Sequence, residues 1–144
     1  VAGIESPGLT SAPAIGEYVA QLVNEIQNLP DKKDFKETRQ GIVHMEQADF
    51  EEKQKLIAQN HAYANMICRC ESISEGEILD AIHRPVGATT VDGVKRRTRA
   101  GMGRCQGGFC SPKVVAILSR ELGVPMEEIR KSDQDSVMLY GDTK

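Results

Sequence analysis

Apolar residues recur at helical spacing near the start of the chain and predict an amphipathic helix over about residues 13–29. The stripe consists of Ile15, Val19, Leu22, Val23, Ile26 and Leu29. Ser11 is the expected N-cap, because a serine side chain accepts a hydrogen bond from the first helical turn. Pro13 suits that first turn, and Pro30 ends the helix.

The segment that follows, residues 31–48, is polar and shows no period, which predicts a linker or extended loop. Within it, only the stretch GIVHM indicates a short strand. Asp49 and Glu52 then form the pattern of a capping box, in which each side chain bonds the other's backbone N–H. This pattern predicts a short helix that extends to about Ala58.

Four further helices are predicted in the rest of the chain from the residues at their ends. They begin at a second capping box of Ser74 and Glu77, at Thr90, at Ser111–Pro112 and at Pro125. Pro85 ends the first, glycines after about Ala100 end the second, and Gly123 closes the third. The third turns four apolar residues inward, namely Val114, Val115, Ile117 and Leu118. No other alternation is typical of strands, so the predicted fold is mainly α.

Composition allows one small domain with an appendage and a core built from aliphatic side chains. The 144 residues are 40% hydrophobic and 4% aromatic, with no Trp. A net charge of -3 does not point to nucleic acid or to an anionic membrane as a partner. Charge is uneven, however, since the stretch from Gly93 to Arg120 holds seven basic residues and no acidic ones.

Neither a membrane-spanning segment nor a signal peptide is indicated by the sequence. No apolar run approaches the ~20 residues that a spanning helix needs, and the first ten residues lack a basic start and an apolar region. We therefore expect a cytoplasmic protein, peripheral at the inner membrane only through partners. The chain begins without Met, and we expect it to be a fragment of a longer protein.

The four cysteines form two close pairs that are typical of metal ligands. Cys68 and Cys70 are a C-x-C pair, Cys105 and Cys110 are a C-x4-C pair, and 34 residues lie between the two pairs. Disulfides are disfavoured because nothing marks secretion. A structural zinc site prefers C-x2-4-C spacings, whereas an iron-sulphur cluster with two iron atoms restricts its ligands less. Both metals remain open on spacing alone.

The glycine-rich stretch GMGRCQGGFC, residues 101–110, favours the cluster. Its glycines offer backbone N–H groups for hydrogen bonds to sulphur, and Cys110 lies at a helix N-terminus, where the dipole favours a thiolate. It is not a dinucleotide fingerprint, because Gln106 replaces the third glycine and no strand precedes it. Met102 and Phe109 are expected to shield the centre from water. The basic run from Lys95 to Arg99 has three possible interpretations. It is a solvated helix face, a set of cations that balances the negative charge of the centre, or a docking surface for a partner.

Two stretches with their separation carry a family resemblance. ICRCESISEGEILDAI and TVDGVKRRTRAGMGRCQGGFCSPKVVAILSRELG resemble the bacterioferritin-associated-ferredoxin-like (BFD-like) [2Fe-2S] domain, over about residues 66–131. They most resemble its form fused to the C-terminus of FAD-dependent dehydrogenases similar to anaerobic glycerol-3-phosphate dehydrogenase. The free-standing ferredoxins end in C-x2-C, whereas four residues separate Cys105 from Cys110 here.

This resemblance implies that Cys68, Cys70, Cys105 and Cys110 bind a [2Fe-2S] cluster that relays electrons between flavin and an acceptor. It also implies a small, helix-turn-helix-like metal-binding domain. The alternative is a structural tetrathiolate zinc module that docks onto another subunit or partner chain.

The first residues, AGIESPGLTSAPAIGEYVAQLV, resemble the last FAD-contacting segment of the D-amino-acid-oxidase-like flavoprotein fold. The FAD contacts that this resemblance implies, in the parent protein, are Gly3, Gly8, Leu9, Thr10 and Ser11. An ordinary capped helix explains the same residues. The strand-turn-helix that holds an FAD diphosphate is missing from the sequence, and no catalytic residue is assigned, so the chain alone should not turn over substrate.

The resemblances divide the chain into four parts. These are a remnant of an FAD-binding domain at 1–30, a linker with a short helix at 31–65, the BFD-like domain at 66–132 and a tail at 133–144. The implied partners are the parent flavin domain and a redox partner subunit or electron acceptor. We also expect the isolated chain to self-associate through the apolar stripe of its first helix.

Overall fold

The computed structural model describes residues 1–141 and divides into two compact units, Val1–Arg39 and the chain from Gln40 onward. The first unit contains one helix, α1 (Gly8–Gln27). The second contains four α-helices and a two-stranded antiparallel sheet: α2 (Phe50–Gln59), β1 (Met66–Cys68), β2 (Ile73–Ser74), α3 (Glu75–His83), α4 (Val91–Thr98) and α5 (Ser111–Leu122). Single 3-10 turns lie at His61–Ala64 and Met126–Glu128. The predicted mainly α fold is confirmed.

Helix α1 begins earlier than predicted, at Gly8, so Ser11 is not its N-cap. Pro7 occupies the cap position, and its carbonyl accepts the N–H of Ser11 at 3.0 Å. The Thr10 hydroxyl donates to the same carbonyl at 2.9 Å. A serine hydroxyl is a preferred cap, but the backbone bond to Pro7 already places Ser11 inside the first turn. No residue of α1 is buried.

The predicted capping residues of the second unit are confirmed. Both hydrogen bonds of the capping box form at Asp49 with Glu52, before α2, and at Ser74 with Glu77, before α3. The hydroxyl of Thr90 accepts the N–H of Gly93 at 3.0 Å and caps α4. Each of these signals lies within four consecutive residues, so local chemistry alone fixes the helix start.

Helix α5 also follows the prediction. Its four inward residues are buried, and Gly123 closes it in the left-handed region with φ of 66°. The helix predicted after Pro125 is wrong, because only one 3-10 turn forms at Met126–Glu128. Ile129 leaves this turn in an extended conformation and is 1% exposed, so burial of its side chain in the core ends the helix.

The predicted strand in GIVHM is not observed either, and the sheet lies at β1 and β2 instead. These strands have three and two residues, which is too short for an alternating pattern to show in the sequence. The hairpin between them carries Cys70.

The core of the second unit lies where α3, α4 and α5 meet. Ile78, Val94 and Leu118, one from each helix, have no exposed surface. Residues 40–65, where a linker is predicted, belong to this unit. There Met45 is buried, and its N–H donates to the buried carboxylate of Glu77 at 3.2 Å.

Tyr63 fixes the same region to α3. Its hydroxyl donates to Asp80 at 2.5 Å. Burial of the ring, followed by the neighbouring Asp80 carboxylate, raises the pKa of this tyrosine above its ordinary value. The ring lies over Gly76, where an added Cβ would come within 2.5 Å of it.

Among the described residues, no helix is both long enough and apolar enough to cross a membrane.

Candidate metal centre

Two loops bring the four cysteines to one cavity at an end of the helical core. Cys68 ends β1 and Cys70 follows in the hairpin, while Cys105 lies in the loop between α4 and α5 and Cys110 immediately precedes α5. All four line a cavity of about 330 Å³. None of them forms a disulfide.

Within the cavity the cysteines form two pairs, each joining one loop to the other. The Sγ atoms of Cys70 and Cys105 are 3.6 Å apart on the solvent side, where Cys70 is exposed. Cys68 and Cys110, which also interact, are 1% and 2% exposed. In the part of the chain that the structure describes, no three Cys, His, Asp or Glu residues surround a point where a single ion would bind.

The two thiols of the C-x4-C pair have opposite electrostatic environments. The backbone N–H of Phe109, the Cys70 thiol, which donates to Cys105, and the nearby N–H groups of Gly107 and Gly108 together hold the pKa of Cys105 below the ordinary thiol value. Burial, with further contributions from Cys68 and Cys105, raises the pKa of Cys110 to about 11. The glycine-rich loop thus supplies the N–H donors that the sequence predicts.

Gly103 allows the close approach of the two loops, and Gly107 allows the turn that leads into α5. A Cβ on Gly103 would lie 2.2 Å from the Cβ of Cys70, a distance that would force the loops apart. Gly107 adopts a positive φ of +85°, and a Cβ there would lie 2.5 Å from the hydroxyl oxygen of Ser111.

The basic run of α4 does not line the cavity. Arg96 lies 3.8 Å from Asp92, and Arg99 donates to Glu71 at 2.7 Å. Arg97 hydrogen-bonds backbone carbonyls of Gly93 and Val86. Through these contacts the basic side chains stabilise α4 and the loops next to it.

The cations that line the cavity are Arg69 and Lys113. Sequence reasoning missed Arg69 as a site residue, although its place between two cysteines is a usable signal. Phe109 also lines the cavity, as expected, but 83% of it remains exposed, and Met102 does not reach the cavity lining.

The residues with an implied flavin role lie in the first unit. Gly3 precedes α1 with a positive φ of 74°, and Gly8, Leu9, Thr10 and Ser11 form the first turn of the helix. The first three residues of a helix lack an intrahelical acceptor for their N–H groups. The N–H of Ser11 is bonded to the carbonyl of Pro7 at 3.0 Å, so any contact of Ser11 with FAD would have to use other atoms of the residue.

The segment that carries the four cysteines matches a known protein family. Residues 66–120 match the family model of the BFD-like [2Fe-2S] binding domain. The match confirms, over these residues, the resemblance that the two cysteine stretches carry. The donor set fits the cluster, because four thiols of two loops face one cavity with backbone N–H groups beside them.

Three relatives carry similar sequence within larger proteins. The chain is 56% identical over 145 residues to glycerol 3-phosphate dehydrogenase of Caloramator mitchellensis, a match that covers the whole chain and 30% of the relative. It is 30% identical over 64 residues to one subunit of the anaerobic glycerol-3-phosphate dehydrogenase of Escherichia coli strain K12, covering 44% of the chain and 12% of that protein.

The third relative is hydrogen cyanide synthase subunit HcnB of Pseudomonas aeruginosa, 45% identical over 53 residues, which are 34% of the chain and 11% of the relative. The chain thus spans less than a third of the length of each relative. The comparison with solved structures found no match.

Proposed function

We propose that the chain is the electron-transfer module of an FAD-dependent dehydrogenase similar to glycerol-3-phosphate dehydrogenase, and that it relays electrons singly between the flavin and an acceptor. The observation that carries the proposal is the convergence of Cys68, Cys70, Cys105 and Cys110 on one cavity inside the segment that matches a [2Fe-2S] family. The 56% identity to a glycerol 3-phosphate dehydrogenase supports the choice of parent enzyme.

A [2Fe-2S] cluster bound there would supply a one-electron redox couple. Cys68 and Cys110 would hold it from the buried side, where exclusion of water preserves electrostatic interactions. Cys70 and Cys105 would hold it from the exposed side, which gives electrons the shorter route to a partner. The N–H groups of residues 107–109 stabilise negative charge on Cys105, and such hydrogen bonds are one means of setting a cluster potential.

For the first unit we propose a contact with FAD in the longer protein. The support is the resemblance of residues 2–23 and the open first turn of α1, which has no acidic residue and no side-chain cap. N–H groups of Gly8, Leu9 and Thr10 and the positive end of the helix dipole would stabilise negative charge on the flavin. Gly3 and Ser11 would then shape the segment, without a free N–H from Ser11.

A structural zinc module is the rival function. One tetrahedral zinc needs all four sulphurs at about 2.3 Å from a single point. The thiols are paired across the cavity, Cys70 with Cys105 and Cys68 with Cys110, and the segment that carries them matches a [2Fe-2S] family, which supports the cluster over zinc.

Anaerobic reductive titration separates the two functions. We expect the purified chain to take up about one electron, with an electron paramagnetic resonance signal that appears on reduction. Photoreduced flavin should serve as the donor, because the proposed route begins at flavin. Uptake of no electrons by a chain that contains bound zinc would contradict the proposal. If dithionite reduces the centre and photoreduced flavin does not, only the proposed electron transfer from flavin would be contradicted.

A further inference from the structure

We propose that the mouth of the cysteine cavity is a docking surface for a redox protein with an acidic rim and an apolar centre. The surface, called here the basic mouth, consists of Phe109, Arg69 and Lys113, which line the cavity, together with the exposed Arg104, which precedes Cys105 in the chain. This inference rests on the proposed electron-transfer function and assigns the chemistry of the partner.

Phe109 is the apolar centre of the basic mouth. It is 83% exposed although it lines the same cavity as the cysteines, so its ring lies at the opening of the cavity. Exposed aromatic rings are costly in water and are enriched at protein interfaces. Contact of a partner with this ring would cover the exposed pair, Cys70 and Cys105, and bring the two redox centres together.

The three cations of the basic mouth have no acidic partner within the described residues. Arg69, Arg104 and Lys113 are exposed and make no ion pair with any residue of the range 1–141. Other arginines of this unit are paired, for example Arg99 with Glu71 and Arg120 with Glu75.

No acidic residue lines the cavity, and the acidic residue that follows Cys70 in the chain is paired with a cation. Glu71, which follows Cys70, accepts the Arg99 bond at 2.7 Å, and no acidic residue occurs from Gly93 to Arg120. The mouth therefore presents positive charge around an apolar ring. Complementary charge accelerates association and selects partners more than it strengthens binding, so a partner with carboxylates around an apolar contact fits best.

The test compares two redox proteins of opposite surface charge as acceptors of electrons from the reduced chain. Acidic cytochrome b5 and basic cytochrome c each accept one electron at a haem edge. We expect a faster reaction with cytochrome b5 at low salt, and a rate that falls as salt rises. The double variant Arg69→Gln, Lys113→Gln should slow this reaction by about tenfold, within the range known for electrostatic steering.

Three variants distinguish docking from other roles of these cations. Lys95→Gln with Arg96→Gln removes the same net charge from α4, away from the cavity lining, and should change the cytochrome b5 rate much less. Arg104→Gln tests the mouth without altering a residue that lines the cavity. Phe109→Ala should slow the reaction with saturating cytochrome b5 at low salt by more than its measured reduction potential and iron content account for.

The proposal is overturned if the mouth variants keep the parent rate and its salt dependence at full iron content. It is also overturned if a changed reduction potential explains the whole rate change, because the cations then act only as charge balance. Calorimetric titration with cytochrome b5 measures binding without electron transfer. If the centre proves redox-inactive, the titration still tests the docking surface. Binding of cytochrome b5 that Arg104→Gln weakens would support the basic mouth and reject only the electron-transfer function. Absence of binding would reject both.

Discussion

At the scale of single residues, Gly103 determines how closely the two cysteine loops approach. A Cβ at this position would lie 2.2 Å from the Cβ of Cys70. Real side chains do not tolerate such a distance, so one loop must move. The pair of Cys70 and Cys105, whose Sγ atoms are 3.6 Å apart, would separate as a result.

We therefore predict that Gly103→Ala lowers the iron bound per chain to below half of the parent value after identical anaerobic reconstitution. Gly41→Ala is the control, because nothing lies within 4 Å of a Cβ at that position. Equal iron content in both variants would show that the loops adjust without loss of the site.

Arg120 provides a second test at this scale through the pH dependence of stability. It donates to Glu75 at 2.6 Å and to Glu121 at 2.7 Å. Partial burial raises the pKa of Glu75, but hydrogen bonds from Arg120 and Asn65 outweigh it, so this pKa lies below its usual value. The hydrogen bond from Arg120 is the main cause of the lowered pKa of Glu121.

A carboxylate with a lowered folded-state pKa stabilises the fold above its unfolded pKa, about 4.3, and loses this contribution as pH falls through the folded value. Arg120→Gln should therefore cost about 0.5–1 kcal/mol at pH 7, and this cost should shrink as pH falls below the unfolded pKa and through the lowered folded-state pKa of the two carboxylates. Urea unfolding of equally loaded samples at several pH values measures the difference. A cost independent of pH would mean that Arg120 acts through packing alone.

At the scale of elements, Glu77 joins a helix cap to a long-range contact. Its carboxylate accepts the N–H and the hydroxyl of Ser74, each at 2.7 Å, and the N–H of Met45 at 3.2 Å. Glu77 is 1% exposed, so removal of its carboxylate would leave buried donors without an acceptor.

We predict that Glu77→Ala lowers the free energy of unfolding by about 2–3 kcal/mol, since a cap and a buried acceptor are lost together. Glu52→Ala is the matched control, because Glu52 holds the same place in the exposed capping box of α2 and should cost about 0.5–1 kcal/mol. Equal costs in chemical unfolding would show that the contact with Met45 adds nothing.

The same contrast explains which elements the sequence reveals. The caps at Asp49, Ser74 and Thr90 are local, and each prediction is confirmed. The start of α1 depends on the backbone carbonyl of Pro7, which no sequence pattern marks, and the absence of a helix after Pro125 depends on a non-local feature, the burial of Ile129. The short hairpin between β1 and β2 leaves no periodic signal at all.

At the scale of the whole molecule, the division into two units predicts different effects of two truncations. Removal of residues 1–39 should leave iron content and melting temperature of the remaining chain unchanged, because the second unit begins at Gln40. Removal of residues 1–65, up to the start of the family match, also deletes Met45 and Tyr63 and should lower the melting temperature by about 5 °C or more.

The shorter truncation also tests self-association. It removes α1, on which no residue is buried, and light scattering should show a smaller assembly than the parent chain forms. Unchanged association would mean that α1 is not the contact. Loss of iron on removal of residues 1–39 would show that the two units are not independent.

The candidate site is predicted more completely than the fold around it. The four cysteines are visible as two motifs, and the glycines between them indicate N–H donors. Which cysteine approaches which is not visible, because the pairs join separate loops through tertiary packing. The folded loops, and not any sequence pattern, also determine two further features. Arg69 forms no ion pair within residues 1–141, and Phe109 is exposed.

Metal and sulphide analysis of the anaerobically purified chain, with its visible spectrum, tests the central claim most directly. The claim is that Cys68, Cys70, Cys105 and Cys110 hold one [2Fe-2S] cluster. We predict a brown protein with about two iron atoms and two sulphides per chain and absorption at roughly 400–600 nm. A colourless chain with about one zinc ion bound by its thiolates would contradict the claim and leave a structural zinc centre in its place.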